Sequence, residues 1–243
     1  MLFSIITVSL NAENLINDTI KSVLNQTFDD YEIIVKDGLS TDNTIKNIPK
    51  DRRIRIIEKK DTGIYQAMNQ GIKEAKGEYL LFLNCGDTLF DNSVLEKVSQ
   101  IIGDDRKSIF YGNFKKENII YKSPKKVRKI LFYDSTLCHQ VAFFPRYVFD
   151  KVGMYDETLK ITSDSKYFLD CKIQKIPYRH MDLIVCVYLE GGVSETEYGI
   201  ELAKEEKKEC VKTRFNFFDR ILYRFLKSGI GQSILKIKNS VNL

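Results

Sequence analysis

The most informative stretch of this sequence is YLLFLNCGD, residues 79–87. Its first five residues are all apolar, which is typical of a strand that is buried on both faces of a parallel sheet. Polar residues follow at once and end with Asp87. The stretch therefore predicts a central β-strand whose carboxyl end carries functional side chains.

Strand-like and helix-like patterns alternate before this stretch. Strands are predicted at residues 2–9, 31–35 and 53–58, and helices at 14–26 and 63–76, the second closed by Gly77. Such alternation indicates a parallel sheet with crossover helices, and ligands bind beyond the carboxyl ends of its strands. The polar residues expected at that edge are Ser9, Asn11, Asp37, Asp61 and Asp87.

The second half is less regular. Strands are predicted at residues 109–112, 140–144 and 184–188, and a helix around 167–171. No internal repeat or low-complexity linker interrupts the sequence, so residues 1–210 are predicted to form one α/β domain.

The composition indicates a folded cytoplasmic protein. Hydrophobic residues make up 43% of the chain, and its five cysteines include no C-x-x-C pair, as expected for reduced thiols. The N-terminus lacks the basic region of a signal peptide, and no apolar run reaches the roughly 18 residues of a transmembrane helix. We therefore expect a cytoplasmic location.

The positive charge lies mainly at the C-terminus. Residues 212–243 hold seven Lys or Arg and one Asp, a net +6, which leaves −1 for residues 1–211 out of the total of +5. A nucleic-acid-binding domain needs a basic face on the fold itself. The sequence therefore predicts no nucleic-acid partner.

Residues 211–243 are predicted to form a basic amphipathic helical tail. One helical face gathers Phe215, Phe218, Ile221, Leu222 and Phe225, and a second apolar face begins with Ile230, Ile234, Ile237 and Val241. The opposite side of the first segment holds Arg220, Arg224 and Lys227. Such a helix suits the anionic inner face of the cell membrane, where the protein would be peripheral. Alternatively, the tail packs on the domain or forms an oligomer contact.

Between residues 7 and 87, the sequence resembles glycosyltransferase family 2, of the bacterial polysaccharide type. The matching pieces, in order, are TVSLN (7–11), QTF (26–28), YEIIV (31–35), DGLSTDNT (37–44), DTGIY (61–65), AMNQG (67–71) and GEYLLFLNCGD (77–87). Each piece is weak alone, but their order and spacing are specific. A looser resemblance continues through CHQ (138–140), GMYDE (153–157), SD (163–164) and GGVS (191–194).

The resemblance implies a GT-A fold and an enzyme that transfers a sugar, with inversion, from a nucleotide-diphosphate donor to an acceptor hydroxyl in polysaccharide or glycan biosynthesis. The donor is expected to be UDP-linked, and the acceptor a glycan or a lipid-linked molecule. The positions implied for nucleotide binding are Val8, Ser9, Asn11, Asp37, Asp61 and Gly63. A carboxylate at Asp37 can accept from a pyrimidine N–H, although Asp37 is alternatively a turn former before Gly38.

The resemblance also implies a divalent cation, Mn²⁺ or Mg²⁺, at the end of the fourth strand. The family usually has Asp-x-Asp there, whereas Asn84 and Asp87 leave this chain with a single acid. Mg²⁺ keeps several waters and needs few carboxylates, so Asp87 remains the candidate ligand and the number of protein ligands stays open. Alternatively, Asp87 caps a helix over residues 89–98.

For the general base, the resemblance points to Asp164, which could instead cap the helix that follows it. Asn84, His139 and Gln140 are expected to face the sugar or the acceptor, although a lone histidine is also often structural. The rival function is a non-catalytic sugar-nucleotide or glycan-binding protein. The phosphate-binding motifs of Rossmann oxidoreductases and P-loop NTPases are both absent.

Overall fold

The computed structural model describes residues 1–228. Its strands are β1 (Phe3–Ser9), β2 (Tyr31–Asp37), β3 (Ile54–Glu58), β4 (Tyr79–Phe82), β5 (Thr88–Leu89), β6 (Ile109–Lys116), β7 (Ile119–Tyr121), β8 (Ala142–Pro145) and β9 (Tyr178–Tyr188). The helices are α1 (Ile16–Leu24), α2 (Ile64–Glu74), α3 (Val94–Ile102), α4 (Tyr147–Val152), α5 (Ser163–Ile173), α6 (Glu197–Arg214) and α7 (Phe217–Lys227). Short 3₁₀ turns lie at Ile45–Asn47, Lys129–Tyr133, His139–Val141 and Val193–Glu195.

The strands form one sheet in the order β3-β2-β1-β4-β8-β6-β9-β5, and β7 pairs with β6. The first four strands of this order are parallel, whereas β8 runs antiparallel to both β4 and β6. β4 lies between β1 and β8 and is fully buried. The predicted parallel sheet with a central fourth strand is therefore confirmed, and the second half adds antiparallel pairs to it.

Alternate residues of the central strands supply two cores, one on each face of the sheet. Ile6 and Leu80 face α2, whereas Ile5 and Leu81 face the side covered by α1 and α3. Successive side chains of a strand point to opposite faces, so a strand covered on both sides must be apolar throughout. This is why residues 79–82 form an unbroken apolar run.

Several element boundaries differ from the predicted ones. The helix over residues 89–98, which was the alternative setting for Asp87, begins five residues later, because Leu89 pairs with β9 and α3 begins at Val94. Residues 139–141 form a 3₁₀ turn, so β8 begins at Ala142. β9 begins at Tyr178, six residues before the predicted strand, and its first part mixes exposed, half-buried and buried residues.

The tail also differs from the prediction. Helix α6 continues past residue 210, because no glycine or proline interrupts residues 200–214, so the predicted domain boundary falls within a helix. Placing Phe215 on an exposed apolar face was wrong: it is only 3% exposed and packs edge-on against the ring of Tyr133. Ile230, Ile234, Ile237 and Val241 lie outside the described residues. Up to residue 228, every helix is too short or too polar to cross a membrane.

Candidate active site

A cavity of about 1290 Å³ opens beyond the carboxyl ends of β1 and β4. Its walls also include the 3₁₀ turn at His139–Val141, the start of α5, the loop after β9 and one face of α6. Ten of the eleven predicted site residues line it: Val8, Ser9, Asn11, Asp61, Gly63, Asn84, Asp87, His139, Gln140 and Asp164. The fold thus brings together residues that are up to 156 positions apart in the sequence.

Asp37 is the exception, because it is fully buried and does not line the cavity. One carboxylate oxygen accepts hydrogen bonds from the hydroxyls of Ser9 (2.8 Å) and Ser40 (2.6 Å), and the other accepts from the Ser40 N–H (2.7 Å). The buried position of Asp37 therefore argues against the expected direct contact between its carboxylate and a nucleotide base. In this structure, Asp37 fixes the positions of Ser9 and of the loop that begins at Ser40.

Asn11 joins the same two segments from the other side. Its backbone has φ of +50°, a left-handed conformation that asparagine tolerates better than most residues. Its side-chain oxygen accepts from the Thr41 N–H (2.9 Å), and its own N–H donates to the Ser40 hydroxyl (2.8 Å). These bonds order the rim of the cavity next to Val8 and Ser9.

Asp61 forms an ion pair with Lys36, a residue that the sequence analysis missed. The Lys36 ammonium lies 2.6 Å from Asp61 Oδ2 and has no exposed surface. A buried charge requires a partner, which explains why a lysine is tolerated inside the otherwise apolar strand β2. The other carboxylate oxygen of Asp61 accepts from the Gly63 N–H (3.2 Å), and Gly63 has φ of +154°, which favours glycine.

Asp87 is a nearly buried carboxylate, only 3% exposed, at the floor of the cavity. Its two oxygens accept from the Leu189 N–H (2.9 Å) and from the Gln140 side-chain amide (3.1 Å). Burial raises its pKa above the usual value, and no ion pair with a lysine or arginine forms within residues 1–228. It does not cap a helix, because α3 begins seven residues later.

Asp164 lies in the first turn of α5 and is bonded to His139. His139 Nδ1 lies 2.9 Å from Asp164 Oδ2, and Asn84 Nδ2 lies 3.2 Å from His139 Nε2. An amide nitrogen only donates, so Nε2 accepts, and the ring proton sits on Nδ1 and is donated to Asp164. The helix cap position is occupied by Thr162, so Asp164 is not the capping residue.

The 3₁₀ turn at His139–Val141 links the two carboxylates. His139 bonds Asp164, and the next residue, Gln140, bonds Asp87. Consecutive residues of one rigid turn therefore fix both acids within the same cavity. Sequence reasoning had picked out CHQ only as a loose resemblance and did not connect it to either acid.

The donor set suits a hard divalent cation held by few protein ligands. Residues 1–228 contain no group of three His, Cys, Asp or Glu side chains placed to hold a metal. Hydrogen bonds from Gln140 and Leu189 each occupy one Asp87 oxygen, so each oxygen keeps a lone pair for another partner. Mg²⁺ commonly binds through one or two carboxylates together with waters and substrate phosphates, and a single Asp87 fits that pattern.

The profile of the family described as glycosyl transferase family 2 matches residues 4–162. A PGL/p-HBAD biosynthesis glycosyltransferase of Mycobacterium bovis is 32% identical over 213 residues, which cover 84% of this chain and 83% of that protein. The matching relatives are thus named for glycosyl transfer.

Two solved structures have a similar fold. S. aureus TarS 1–349 in complex with UDP-GlcNAc has a TM-score of 0.67 at 17% identity, covering 94% of this chain and 74% of that one. The mannosyltransferase PcManGT of Pyrobaculum calidifontis, in complex with GDP-Man and Mn²⁺, has a TM-score of 0.62 at 13% identity, covering 98% and 79%. These structural matches show the predicted GT-A fold. The family match over residues 4–162, together with the 32% identical relative, establishes that the chain belongs to glycosyl transferase family 2.

Proposed function

We propose that this glycosyltransferase moves a sugar from a UDP-linked donor to an acceptor hydroxyl, with inversion, in polysaccharide or glycan biosynthesis. The observation that carries the proposal is the pair of carboxylates, Asp87 and Asp164, held in one cavity by His139 and Gln140. Asp87 is suited to binding a cation, and Asp164 is suited to accepting a proton.

The nucleotide end of the donor would lie at the rim formed by Val8, Ser9, Asn11 and Gly63. Main-chain groups there can bond the edge of a base, while Asp37 and Asp61 hold the rim in place from below. The UDP-GlcNAc bound to TarS supports a uridine donor, although GDP-Man in the mannosyltransferase shows that the fold accepts other nucleotides.

Asp87 would hold the divalent cation, with donor phosphate and water oxygens as its other ligands. When bound, such a cation neutralises the charge of the departing diphosphate. Within this chain, Gln140 and the Leu189 N–H orient the Asp87 carboxylate for that task. Asn84, three residues before Asp87, bonds His139.

Asp164 would act as the general base. The acceptor oxygen attacks the anomeric carbon, its proton passes to Asp164, and the bond to the diphosphate oxygen breaks with its electron pair leaving on the nucleoside diphosphate. One displacement inverts the anomeric centre. His139 donates to Asp164 and orients it, and Asn84 keeps the histidine proton on the correct nitrogen.

The proposal is tested by screening nucleotide sugars with Mn²⁺ or Mg²⁺ for release of the nucleoside diphosphate. We expect release from a UDP-sugar that depends on the cation, and a product whose anomeric configuration, measured by NMR, is inverted. A retained configuration would contradict the single displacement. No release from any donor would favour a binding protein over an enzyme.

We further propose that the enzyme works at the inner face of the cell membrane on a lipid-linked acceptor. The observation that favours this is the apolar face of α7, where Phe217 and Phe218 are 70% and 77% exposed. Arg220 and Arg224 of the same helix would meet anionic headgroups. The basic run at residues 122–129 supplies further positive charge to such a surface.

A further inference from the structure

Three lysines lie along one wall of the cavity without an acidic partner. Lys160 precedes α5, and Lys204 and Lys207 lie one turn apart on α6. Within residues 1–228, none of the three has a carboxylate oxygen within ion-pair distance, whereas Lys116, also in the cavity, is paired with Glu190 and Glu195. This wall therefore carries positive charge that the fold does not neutralise by direct contact.

Hydrogen bonds join the two segments that carry the three lysines. Glu206, which lies between Lys204 and Lys207 on α6, accepts backbone hydrogen bonds from Lys160 (2.6 Å), Ile161 (3.2 Å) and Thr162 (2.9 Å). The carboxylate of Glu206 is thus occupied in fixing the Lys160 loop to α6. The fold joins the two segments that carry the lysines, although 44 residues separate Lys160 from Lys204.

Two of the ammonium groups are held by carbonyl oxygens. Lys207 donates to the Ser135 carbonyl (3.3 Å), and Lys160 reaches the Thr62 carbonyl (3.5 Å) beside Gly63. Lys207 is partly buried, and this desolvation lowers its pKa. A carbonyl oxygen accepts one of the three hydrogen bonds that an ammonium can donate, and it carries no net negative charge. Both ammonium groups therefore keep free donors for an anion.

The acids that share this part of the cavity do not fill that role. Asp164 is bonded to His139, and Glu157 accepts from the side-chain amides of Gln66 and Asn69. Asp134 and, more weakly, Asp164 attract Lys207 at longer range, without a direct ion pair, and Asp134 accepts from the Tyr223 hydroxyl. A phosphate group, with its several acceptor oxygens and its negative charge, matches three ammonium-bearing side chains that line the same cavity.

We propose that Lys160, Lys204 and Lys207 form a phosphate-binding site on the α6 wall of the cavity, separate from Asp87. Its part in catalysis rests on the proposed function, where the phosphate belongs either to the donor diphosphate or to a phosphorylated acceptor. The site would add an anion subsite, made from this chain's own side chains, to the cation that Asp87 is proposed to hold.

The site is tested by calorimetric titration of the full chain with inorganic pyrophosphate in EDTA, so that no cation at Asp87 contributes. The triple variant Lys160→Gln, Lys204→Gln, Lys207→Gln should bind at least about tenfold more weakly, which corresponds to losing one charge-assisted hydrogen bond. Lys208→Gln removes the same charge from an α6 position outside the cavity and should bind like the wild type. Equal binding by the triple variant and this control would overturn the proposal.

Thermal unfolding followed by circular dichroism checks that the triple variant folds. If it does not, Lys204→Gln alone replaces it, since the exposed Lys204 side chain forms no hydrogen bond or ion pair within residues 1–228. Titration with UDP and Mg²⁺ then separates the sources. A parallel loss of UDP affinity assigns the site to the donor diphosphate, and an unchanged UDP affinity assigns it to a phosphorylated acceptor. A third outcome is wild-type protein that binds pyrophosphate but neither binds UDP nor releases it from a UDP-sugar. That result would contradict the proposed function and would still support the phosphate-binding site.

Discussion

Asp164 receives hydrogen bonds on both of its oxygens, from His139 on one side and from the Ser165 N–H (2.7 Å) on the other. The Tyr65 hydroxyl lies farther away, at 3.3 Å, and donates its single proton to the Ile161 carbonyl at 2.6 Å. The oxygen bonded to His139 therefore keeps a lone pair for an incoming acceptor proton. This arrangement orients Asp164 for its proposed role as general base.

Replacing Asp164 with Asn keeps an oxygen that can accept from His139 but removes the base. We expect kcat to fall by about 10²–10⁴ while donor affinity is retained. Asp150→Asn, an exposed acid on α4 outside the cavity, is the matched control and should leave kcat unchanged. If donor binding collapsed instead and turnover of bound donor were unchanged, Asp164 would have a structural role only.

The substitution Gly71→Ala in α2 has two opposing effects on stability. An alanine in a helix interior is favoured over glycine by about 1 kcal/mol, but its Cβ here would lie 2.6 Å from the Ile6 side chain in β1. Overpacking typically destabilises by about 1–3 kcal/mol, so we expect Gly71→Ala to lower the free energy of unfolding. Urea titration measures this, with Lys73→Ala on the exposed face of α2 as a near-neutral control. A stabilised Gly71→Ala would show that β1 and α2 are packed less closely than described.

At the scale of elements, α7 is attached to the domain by its polar residues. Lys129 pairs with Asp219 at 2.5 Å, and the ring of Tyr223 stacks on that of Tyr133 with 3.7 Å between centroids. Phe215, just before the helix, anchors it in the core. These contacts leave Phe217, Phe218, Ile221, Leu222 and Phe225 facing away from the domain, each at least 45% exposed.

The membrane role of this face is best tested in the full chain, because ending the protein at Thr213 would also remove the buried Phe215. We expect Phe217→Ser with Phe218→Ser to reduce co-sedimentation with anionic vesicles, since burying a phenylalanine side chain contributes about 1.5–3 kcal/mol. Ile101→Ser with Ile173→Ser, two exposed isoleucines on other helices, is the control. Equal partitioning of wild type and the Phe variant would rule out membrane binding through α7.

A strand or helix could be predicted from the sequence when residues close to one another in the chain specify it. β1, β2, β4 and α2 carry unbroken apolar runs or a helical period, so residues within a few positions of one another specify them. β5 has two residues and exists only because Thr88 and Leu89 pair with β9, nearly a hundred residues later. Only residues 184–188 of β9 were predicted, because only this last part is an uninterrupted apolar run that resembles a strand.

The candidate site follows the same rule at the scale of the whole molecule. The sheet topology places strand-end residues at one edge, and together with the family resemblance it allowed ten of the residues that line the cavity to be named from the sequence. The bonds that decide what each residue does were not visible, because Asp37 meets Ser9 across 28 positions and His139 meets Asp164 across 25. No local pattern reports that Asp37 is sealed beneath the cavity, or that three lysines face into it.

The central claim is that Asp87 carries the cation-dependent part of donor binding, and the variant Asp87→Asn tests it most directly. The amide keeps an acceptor for the Leu189 N–H, and the Gln140 side-chain amide can turn over to accept from the new NH2 group. Because burial raises the pKa of the Asp87 carboxyl, removing its charge offsets this rearrangement, so the fold should be about as stable as the wild type. Asp104→Asn, an exposed acid outside the cavity, is the control.

The measurement is calorimetric titration with UDP, with and without Mn²⁺. We predict that Mn²⁺ strengthens UDP binding to the wild type and to Asp104→Asn, and that this gain is lost in Asp87→Asn while its melting temperature does not fall. An equal gain from Mn²⁺ in folded Asp87→Asn protein would contradict the account.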